Sequence, residues 1–464
     1  MTRVKNSSYF LDKPDHDVIE SLLSKYDLAA DVADTQTVYE QLVQYDVTDW
    51  DFCLLRASVN GQLLFAEQGK ITSKPPSLSG DPKVVLQFGS SILELDAEVD
   101  ARDQHKSLKA LIWDPVNQQA VEAETSEPAL GSSGNLDPQQ LAASLGDDAS
   151  IIVAGEASES ESQAFIDGQW TLSQLNQIGA RIKCEGMTEV NVADVVQLDG
   201  IGERFSGKAF VTALRHDFDL VKGWKTTLQI GGVKQIYQDS LSDLGSAGGY
   251  RSIAKVHGLS SGLVISNEDP SGEFRVQVAL PMVGLGEEGV WARVSSMDAG
   301  DARGTFFRPE VGDEVLLGYL QGDPRSAVVL GMLHSSANAS PFEPSDDNHE
   351  KGYVSRAEMK IVFDDDQVIM NFETPAGNSI RLDEAESAMS LVDQNGNSIV
   401  MNSDGIKIES GGNIEIVAGN ELAAQSGTQT KFEAGTELKL ESTAGSALSS
   451  SAVTKVEGSL VQIN

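Results

Sequence analysis

Residues 405–419 have the sequence Gly-Ile-Lys-Ile-Glu-Ser-Gly-Gly-Asn-Ile-Glu-Ile-Val-Ala-Gly, in which a pair of apolar residues recurs after eight positions. The two members of each pair are two residues apart, a spacing that places both side chains on one face of a β-strand. Glycine recurs with the same spacing, where the chain is expected to turn. The predicted corners are Gly411, Gly419, Gly427 and Gly435. This stretch therefore predicts a coil of short strands and corners.

The eight-residue register continues almost to the end of the chain. A unit of this size cannot bury two side chains alone, so consecutive units must stack. Two apolar positions per unit give a narrow interior, which closes better when several chains share one axis. We therefore expect an intertwined triangular β-helix of three chains. The side chains predicted to form the trimer core are Ile406, Ile408, Ile414, Ile416, Leu422, Phe432, Leu438, Leu440, Leu448 and Val456.

Two other structures of this segment are less consistent with the pattern. A disordered Ser/Gly tail agrees with the low aromatic content, but it does not require an apolar register. A calcium-binding roll requires repeated Asp ligands at fixed positions, which this segment lacks.

The composition excludes several classes of protein. The 464 residues include 34 Lys and Arg against 70 Asp and Glu, a formal charge of −36. Binding to nucleic acid depends on cationic side chains, so no nucleic-acid partner is expected. With two cysteines, Cys53 and Cys184, no disulfide framework can hold the fold. The apolar runs are too short for a membrane-spanning helix, and the first residues lack the apolar segment of a signal peptide.

The first 245 residues are expected to be a mixed, strand-dominated unit. Apolar spacing predicts amphipathic helices over residues 15–26, with Asp15 as a plausible cap, and over residues 48–60. Runs rich in β-branched residues predict strands at residues 84–88, 209–214 and 225–230.

The rest of the chain divides by composition. Residues 246–252 are a Gly/Ser linker, and residues 338–360 form a second linker with prolines and acidic residues. Between them, residues 253–337 are expected to form a small five-stranded barrel of the OB-fold type. The needle then covers residues 361–464. The fold class is thus mainly β, with a mixed α+β first domain, a barrel and a C-terminal β-helix.

Motifs in the first domain and the barrel resemble those of VgrG-type spike proteins and phage tail-hub proteins. The motifs of the first domain are Gln44-Tyr45-Asp46-Val47-Thr48-Asp49-Trp50-Asp51-Phe52, Arg56 to Gly61, Leu198 to Gly207, Arg215-His216-Asp217 and Gly223 to Thr226. Those of the barrel are Asn267 to Gly272, Val290-Trp291-Ala292-Arg293-Val294, Pro309 to Val315 and Gly322-Asp323-Pro324-Arg325.

The resemblance implies a homotrimeric spike at the tip of a contractile injection machine. Residues 1–245 would be its tail-hub-like domain, apparently lacking part of the first half. The implied partners are inner-tube and baseplate proteins, a PAAR-type tip cap and effector cargo, with the target membrane met only on puncture. Such a protein is made in the cytoplasm without a signal peptide, assembled in a contractile particle and expelled.

Possible chemical sites have simpler structural explanations. Residues 284–289 match Gly-x-Gly-x-x-Gly, but they precede a strand and contain two carboxylates where a pyrophosphate would bind. The cluster from His216 to Asp219 lacks a second histidine at ligand spacing, and Asp364-Asp365-Asp366 fits a solvated turn. We therefore predict no catalytic, cofactor or metal site. The alternatives are an envelope-degrading tail enzyme with its active site in residues 75–200, and a receptor-binding tail fibre.

Overall fold

The computed structural model describes residues 1–102, 104–125, 130, 134–144, 150–155, 157–232, 255–284 and 286–463. It contains 39% strand and 11% helix, so the mainly β fold class is confirmed. The chain divides into two units, Met1–Ala339 and Ser340–Asn464. The predicted Gly/Ser linker at residues 246–252 lies outside the described residues.

The N-terminal elements combine strand ribbons with two packed helices. The strands β1 and β3 pair antiparallel over most of their length, and β2, β5 and β4 form a three-stranded sheet. Their bounds are β1 Lys5–Pro14, α1 Asp15–Ser24, β2 Ala29–Val32, β3 Val38–Thr48, α2 Asp49–Val59, β4 Leu63–Glu67 and β5 Lys70–Lys74.

The helices start as expected, but Asp15 does not cap one. Thr48 caps α2, since its hydroxyl accepts the N–H of Asp51. The N-cap of α1 is Pro14, and the buried Asp15 carboxylate instead accepts hydrogen bonds from Arg56 at 2.5 and 3.0 Å. A long-range ion pair therefore replaces the predicted local cap.

The remainder of the first domain contains two further sheets. One has the strand order β10-β8-β9, and the other, six-stranded, has the order β6-β12-β13-β14-β11-β7. The bounds are β6 Val85–Gln87, β7 Ile92–Val99, β8 Leu108–Asp114, β9 Gln119–Glu124, α3 Pro138–Ser144, β10 Ser150–Gly155, α4 Glu159–Leu175, β11 Ile178–Glu185, β12 Val195–Asp199, β13 Gly207–Asp219 and β14 Gly223–Ile230. Among the described residues, no helix is both long and apolar enough to cross a membrane.

The predicted five-stranded barrel is present and closed. Its strand order is β15-β16-β17-β21-β20, and valine, leucine and alanine side chains fill its interior. The bounds of the barrel strands are β15 Ser260–Ser266, β16 Val276–Ala279, β17 Val290–Val294, β20 Glu314–Tyr319 and β21 Ala327–Met332. Between β17 and β20, the short strands β18 Ala299–Gly300 and β19 Arg303–Gly304 form a separate two-stranded ribbon. The Gly-x-Gly-x-x-Gly match at residues 284–289 lies in the connection between β16 and β17.

The second unit begins with an antiparallel sheet in which every strand pairs with the next one along the chain. Its bounds are β22 Glu350–Val354, β23 Lys360–Asp364, β24 Ile369–Glu373, β25 Ser379–Asp383, β26 Ala388–Val392, β27 Ser398–Asn402 and β28 Gly405–Glu409. The sheet starts inside the stretch predicted as a linker, because β22 pairs with β23. A meander of hairpins, rather than a coil, thus occupies the first part of the predicted needle.

Candidate functional site

One face of the meander carries an apolar row that crosses all its strands. Each residue of this row lies directly opposite the next in the strand pairing, so their side chains are neighbours. The row consists of Tyr353, Ile361, Phe372, Ile380, Leu391, Ile399 and Ile408. The members of this row from Ile361 to Ile408 line an open trough of about 800 Å³.

A second apolar row runs beside the first on the same face. It consists of Phe363, Met370, Leu382, Met389, Met401 and Ile406. On each strand from β23 to β28, its member is two residues from the member of the first row, so both side chains point to one face. On the opposite face, the column between the two rows is mostly polar and consists of Val362, Asn371, Arg381, Ser390, Val400 and Lys407. The sheet is therefore amphipathic, with its apolar face open in the single chain.

The turn chemistry explains why the chain reverses instead of coiling. Asp364 accepts the N–H groups of Asp366 and Gln367, an Asx turn, so the Asp364-Asp365-Asp366 run closes a hairpin. Gly396 and Gly405 have φ of +82° and +125°. The dipeptides Asn395-Gly396 and Asp404-Gly405 are hairpin signals. These turns contradict the coil predicted for this part of the chain.

Beyond Glu409, the described chain forms neither helix nor strand and bends with the predicted period. The bends fall at residues 411–412, 419–420, 427–428, 435–436, 443–444, 451–452 and 459. Four of them contain the predicted corner glycines, but none of those four has φ in the left-handed region. Thr443 and Ser451 begin the same bend without glycine, so the corner does not depend on glycine's conformational freedom.

The ten predicted core side chains share one property in the single chain, which is exposure. From Ile406 to Val456, each has between 55% and 86% of its surface exposed. The structure therefore brings them to an accessible surface, and it does not bury them within one chain. Ile406 and Ile408 also end the two apolar rows of the meander. The rows and the eight-residue register thus meet on the same strand, β28.

Charged residues alternate with this apolar register. Lys407, Lys431, Lys439 and Lys455 each pair with a glutamate two residues later. All eight of these side chains are well exposed, so the pairs add little stability. Their placement instead gives several of the eight-residue units a charged side beside the apolar register.

The first domain and the barrel are joined by side chains of β1 and β3. Val43 is buried in the barrel core, where Tyr9 and Tyr45 pack around it. The hydroxyl of Tyr9 accepts the backbone N–H of Leu280 at 2.9 Å. The side-chain amide of Gln41 forms hydrogen bonds to the barrel through both its nitrogen and its oxygen. No local sequence pattern indicates this junction, because its partners are more than 200 residues apart.

Charged groups extend the same junction. The guanidinium groups of Arg56 and Arg325 lie 4.6 and 5.9 Å from the centre of the Tyr39 ring. Arg325 also pairs with Asp323 at 2.9 Å and with Glu161 of α4 at 3.5 Å. Burial raises the pKa of Glu161 even though the two arginines oppose this shift. These contacts fix the barrel loop before β21 against the first domain.

The clusters considered for chemistry have structural roles. The His216 ring hydrogen-bonds Thr226 and Trp224 across the β13–β14 pair, and Asp219 accepts two backbone N–H groups of the following turn. Burial raises the pKa of the Cys53 thiol to about 12 and that of Cys184 to about 11. In the described part of the chain, no group of three or more His, Cys, Asp or Glu side chains is arranged to hold a metal ion.

Two protein families match parts of the chain. Residues 260–334 match the type VI secretion system/phage-baseplate injector OB domain, and residues 1–219 match the Alg8 N-terminal domain. The first of these matches covers the closed barrel from the start of β15 to just beyond β21. The predicted resemblance to VgrG-type spike proteins is confirmed at this domain.

Curated relatives match a short segment. Type VI secretion system spike protein VgrG5 of Pseudomonas aeruginosa is 38% identical over 77 residues, which are 16% of this chain and 10% of that protein. Spike protein VgrG3 of Vibrio cholerae is 34% identical over 68 residues, 15% of this chain and 6% of that one. The chain thus matches a tenth or less of the length of these two relatives.

Solved structures are similar at low sequence identity. The Francisella PdpA-VgrG complex aligns with a TM-score of 0.46 and 10% identity, covering 88% of this chain and 63% of that one. The E. coli c3393 protein, described as a component of the type VI secretion system, aligns with a TM-score of 0.42 and 12% identity, covering 72% and 75%.

Proposed function

We propose that three copies of this chain form the spike of a contractile injection machine. The observation that carries the proposal is the continuity of the apolar surface. Two rows cross the meander, end at Ile406 and Ile408 on β28, and continue as the exposed eight-residue register. A surface of this length exposed in one chain marks a site of association.

A trimer gives buried contacts both to the meander and to the eight-residue register that follows it in the second unit. Each meander supplies one wall of a triangular prism, with its apolar face inward and its Arg381 and Lys407 column outward. Between residues 411 and 463, which are all described, no strand pairs within the chain. Backbone groups that leave water need partners, and winding around two other copies provides them. The predicted core from Ile406 to Val456 then becomes buried.

The energetic gain is sufficient for stable assembly. Burying one exposed Ile, Leu or Phe side chain contributes about 1.5–3 kcal/mol. The burial of the ten core residues of each chain, nine of which are Ile, Leu or Phe, and of the other members of the two rows exceeds the roughly 4–15 kcal/mol lost when molecules associate. The exposed Lys–Glu pairs and the charge of −36 keep the assembled rod soluble.

The role that follows is mechanical rather than catalytic. The spike connects an inner tube to the needle and transmits force as it punctures a target envelope and delivers effectors. Its partners are inner-tube and baseplate proteins, a PAAR-type tip cap and effector cargo. The chain is made in the cytoplasm, assembled in the contractile particle and expelled with it. The injector OB match and the VgrG relatives support this role.

The proposal is tested by the mass of the purified chain. A single chain has a mass of 49.5 kDa, and we expect three times this value by mass photometry. Ile416→Asp combined with Leu440→Asp places charge in the core and should yield single chains. The control combines Val417→Asp and Lys439→Asp, which lie beside the same residues on the other strand face, and should leave the trimer intact. A single-chain mass for the unaltered protein, or a trimer that survives the core substitutions, would refute the assembly.

A further inference from the structure

The hairpin between β13 and β14 ends in an exposed apolar tip. The side chains of Phe218, Leu220 and Val221 have 78%, 96% and 94% of their surface exposed. Asp219 holds the turn, since its Oδ1 accepts the N–H groups of Val221 and Lys222 at 2.8 Å. A tip that is both apolar and conformationally fixed has the character of an interface element.

A cavity of about 740 Å³ lies between the first domain and the barrel. The β8–β9 hairpin and the start of α4 line one side, and β17 and the loop before β21 line the other. Its apolar lining includes Ile112, Trp113, Pro115, Val116, Val121 and Ala157. A concave apolar site of this size accommodates several side chains.

The free charge in this cavity is mainly acidic. Arg275 is held by Glu40 and Asp269, and Arg325 by Glu161 and Asp323. Arg293 also lines the cavity and makes an interaction of its own. The remaining lining charges are the carboxylates of Asp114, Glu159 and Glu273, and neither Glu159 nor Glu273 has an ion pair with another described residue. The cavity therefore fits an apolar segment that carries a cation.

The hairpin tip is such a segment, because Lys222 directly follows Leu220 and Val221. It does not fill the cavity of its own chain, since these two apolar side chains stay more than nine-tenths exposed. We propose that the β13–β14 tip of one copy inserts into this cavity of the next copy, with Lys222 near Glu159. The contact is head-to-tail, so a rotation that closes after three copies gives a ring. This inference rests on the proposed trimer.

The test uses cross-linking in the full-length chain. Val116→Cys and Val221→Cys place one thiol in the cavity lining and one on the tip, and a short bismaleimide should join them between copies into two- and three-chain products. The control pairs Val221→Cys with Val311→Cys, an exposed barrel valine outside the cavity lining. The natural Cys53 and Cys184 are buried and do not compete.

The outcomes separate this inference from the proposed function. A trimeric mass with no more cross-linking than the control pair would overturn the docking and leave the spike trimer standing. A single-chain mass would overturn both. Lys222→Glu should slow cross-linking severalfold, and adding Glu159→Lys should restore it. An unchanged rate in Lys222→Glu would overturn the charge contact.

Discussion

The side-chain oxygen of Gln41 accepts the backbone N–H of Trp291 at 2.8 Å. The amide nitrogen of Gln41 donates to the carbonyl of Arg325 at 2.7 Å. Strands β17 and β21 meet in parallel through only two residue pairs, which begin just beyond these groups. The side-chain amide of glutamine carries a carbonyl oxygen that accepts hydrogen bonds and an NH₂ group that donates them, so it can take the place of a peptide group in a sheet. The pairing of β17 with β21 is the shortest in the barrel. Gln41, a residue of the first domain, therefore lengthens this seam between the two strands by bridging them with two further hydrogen bonds.

Replacing Gln41 should weaken this seam. In Gln41→Leu, the N–H of Trp291 and the carbonyl of Arg325 lose their partner, which costs about 1–3 kcal/mol. We expect a lower melting temperature and faster hydrogen exchange at the Trp291 amide. Gln119→Leu, an exposed glutamine on β9, is the matched control. Unchanged exchange at Trp291 would show that Gln41 does not hold the seam.

The pair formed by Asp15 and Arg56 predicts a non-additive result. Both side chains are buried, so Arg56→Met leaves a carboxylate without its cation and should cost about 3–5 kcal/mol. Combining Arg56→Met with Asp15→Leu should recover much of this loss, because no buried charge remains. Urea unfolding of the two single variants and the double variant measures the coupling. Additive losses would contradict the assigned pair.

Asp269 predicts a pH dependence in the acid range. Hydrogen bonds from the Arg275 guanidinium, assisted by backbone N–H groups, lower the pKa of Asp269 to about 2. A carboxyl group whose pKa is lowered by folding stabilises the fold above its unfolded pKa, and this contribution is lost as the pH falls towards the folded pKa. We therefore expect Asp269→Asn to melt at a lower temperature than the wild type at pH 6. This difference in melting temperature should disappear as the pH falls from about 4 to about 2.

Glu268→Gln serves as the neighbouring control, since this side chain is exposed. Its gap from wild type should stay small across the same range. A gap for Asp269→Asn that does not change with pH would contradict the assigned hydrogen bonds.

Glycines of the second unit should differ in their tolerance of alanine. Gly396 has φ of +82°, where a Cβ costs about 1–2 kcal/mol, so Gly396→Ala should lower the melting temperature. Gly427 lies outside the left-handed region, and a Cβ there meets no atom of the chain within 4 Å. Gly427→Ala should leave the melting temperature unchanged or raise it slightly. Equal losses in both variants would show that the corners need glycine after all.

Local patterns predicted the elements better than they predicted their partners. The barrel strands and both early helices follow from apolar spacing, a signal that acts within a few residues. The role of Asp15 was not predictable in this way, since a carboxylate at a helix start fits a cap equally well. Only the fold brings Arg56 next to it.

In the second unit, too, the sequence pattern predicted the strands but not how they pair. The apolar register is visible in the sequence because its period is constant. The meander was missed because its two rows have the same two-residue spacing as the register, and only turns such as Asn395-Gly396 distinguish reversal from coiling. The junction at Gln41 has no periodic signal at all.

The two apolar rows have a consequence for how such a chain can evolve. Each strand from β23 to β28 adds one side chain to each row. In the proposed trimer, inserting one further eight-residue unit after Gly419 would add roughly 4.8 Å of height, while every later side chain would keep its direction. Length and cross-section would then be independent variables, and the needle could be lengthened by whole units without any change in the contacts between neighbouring chains.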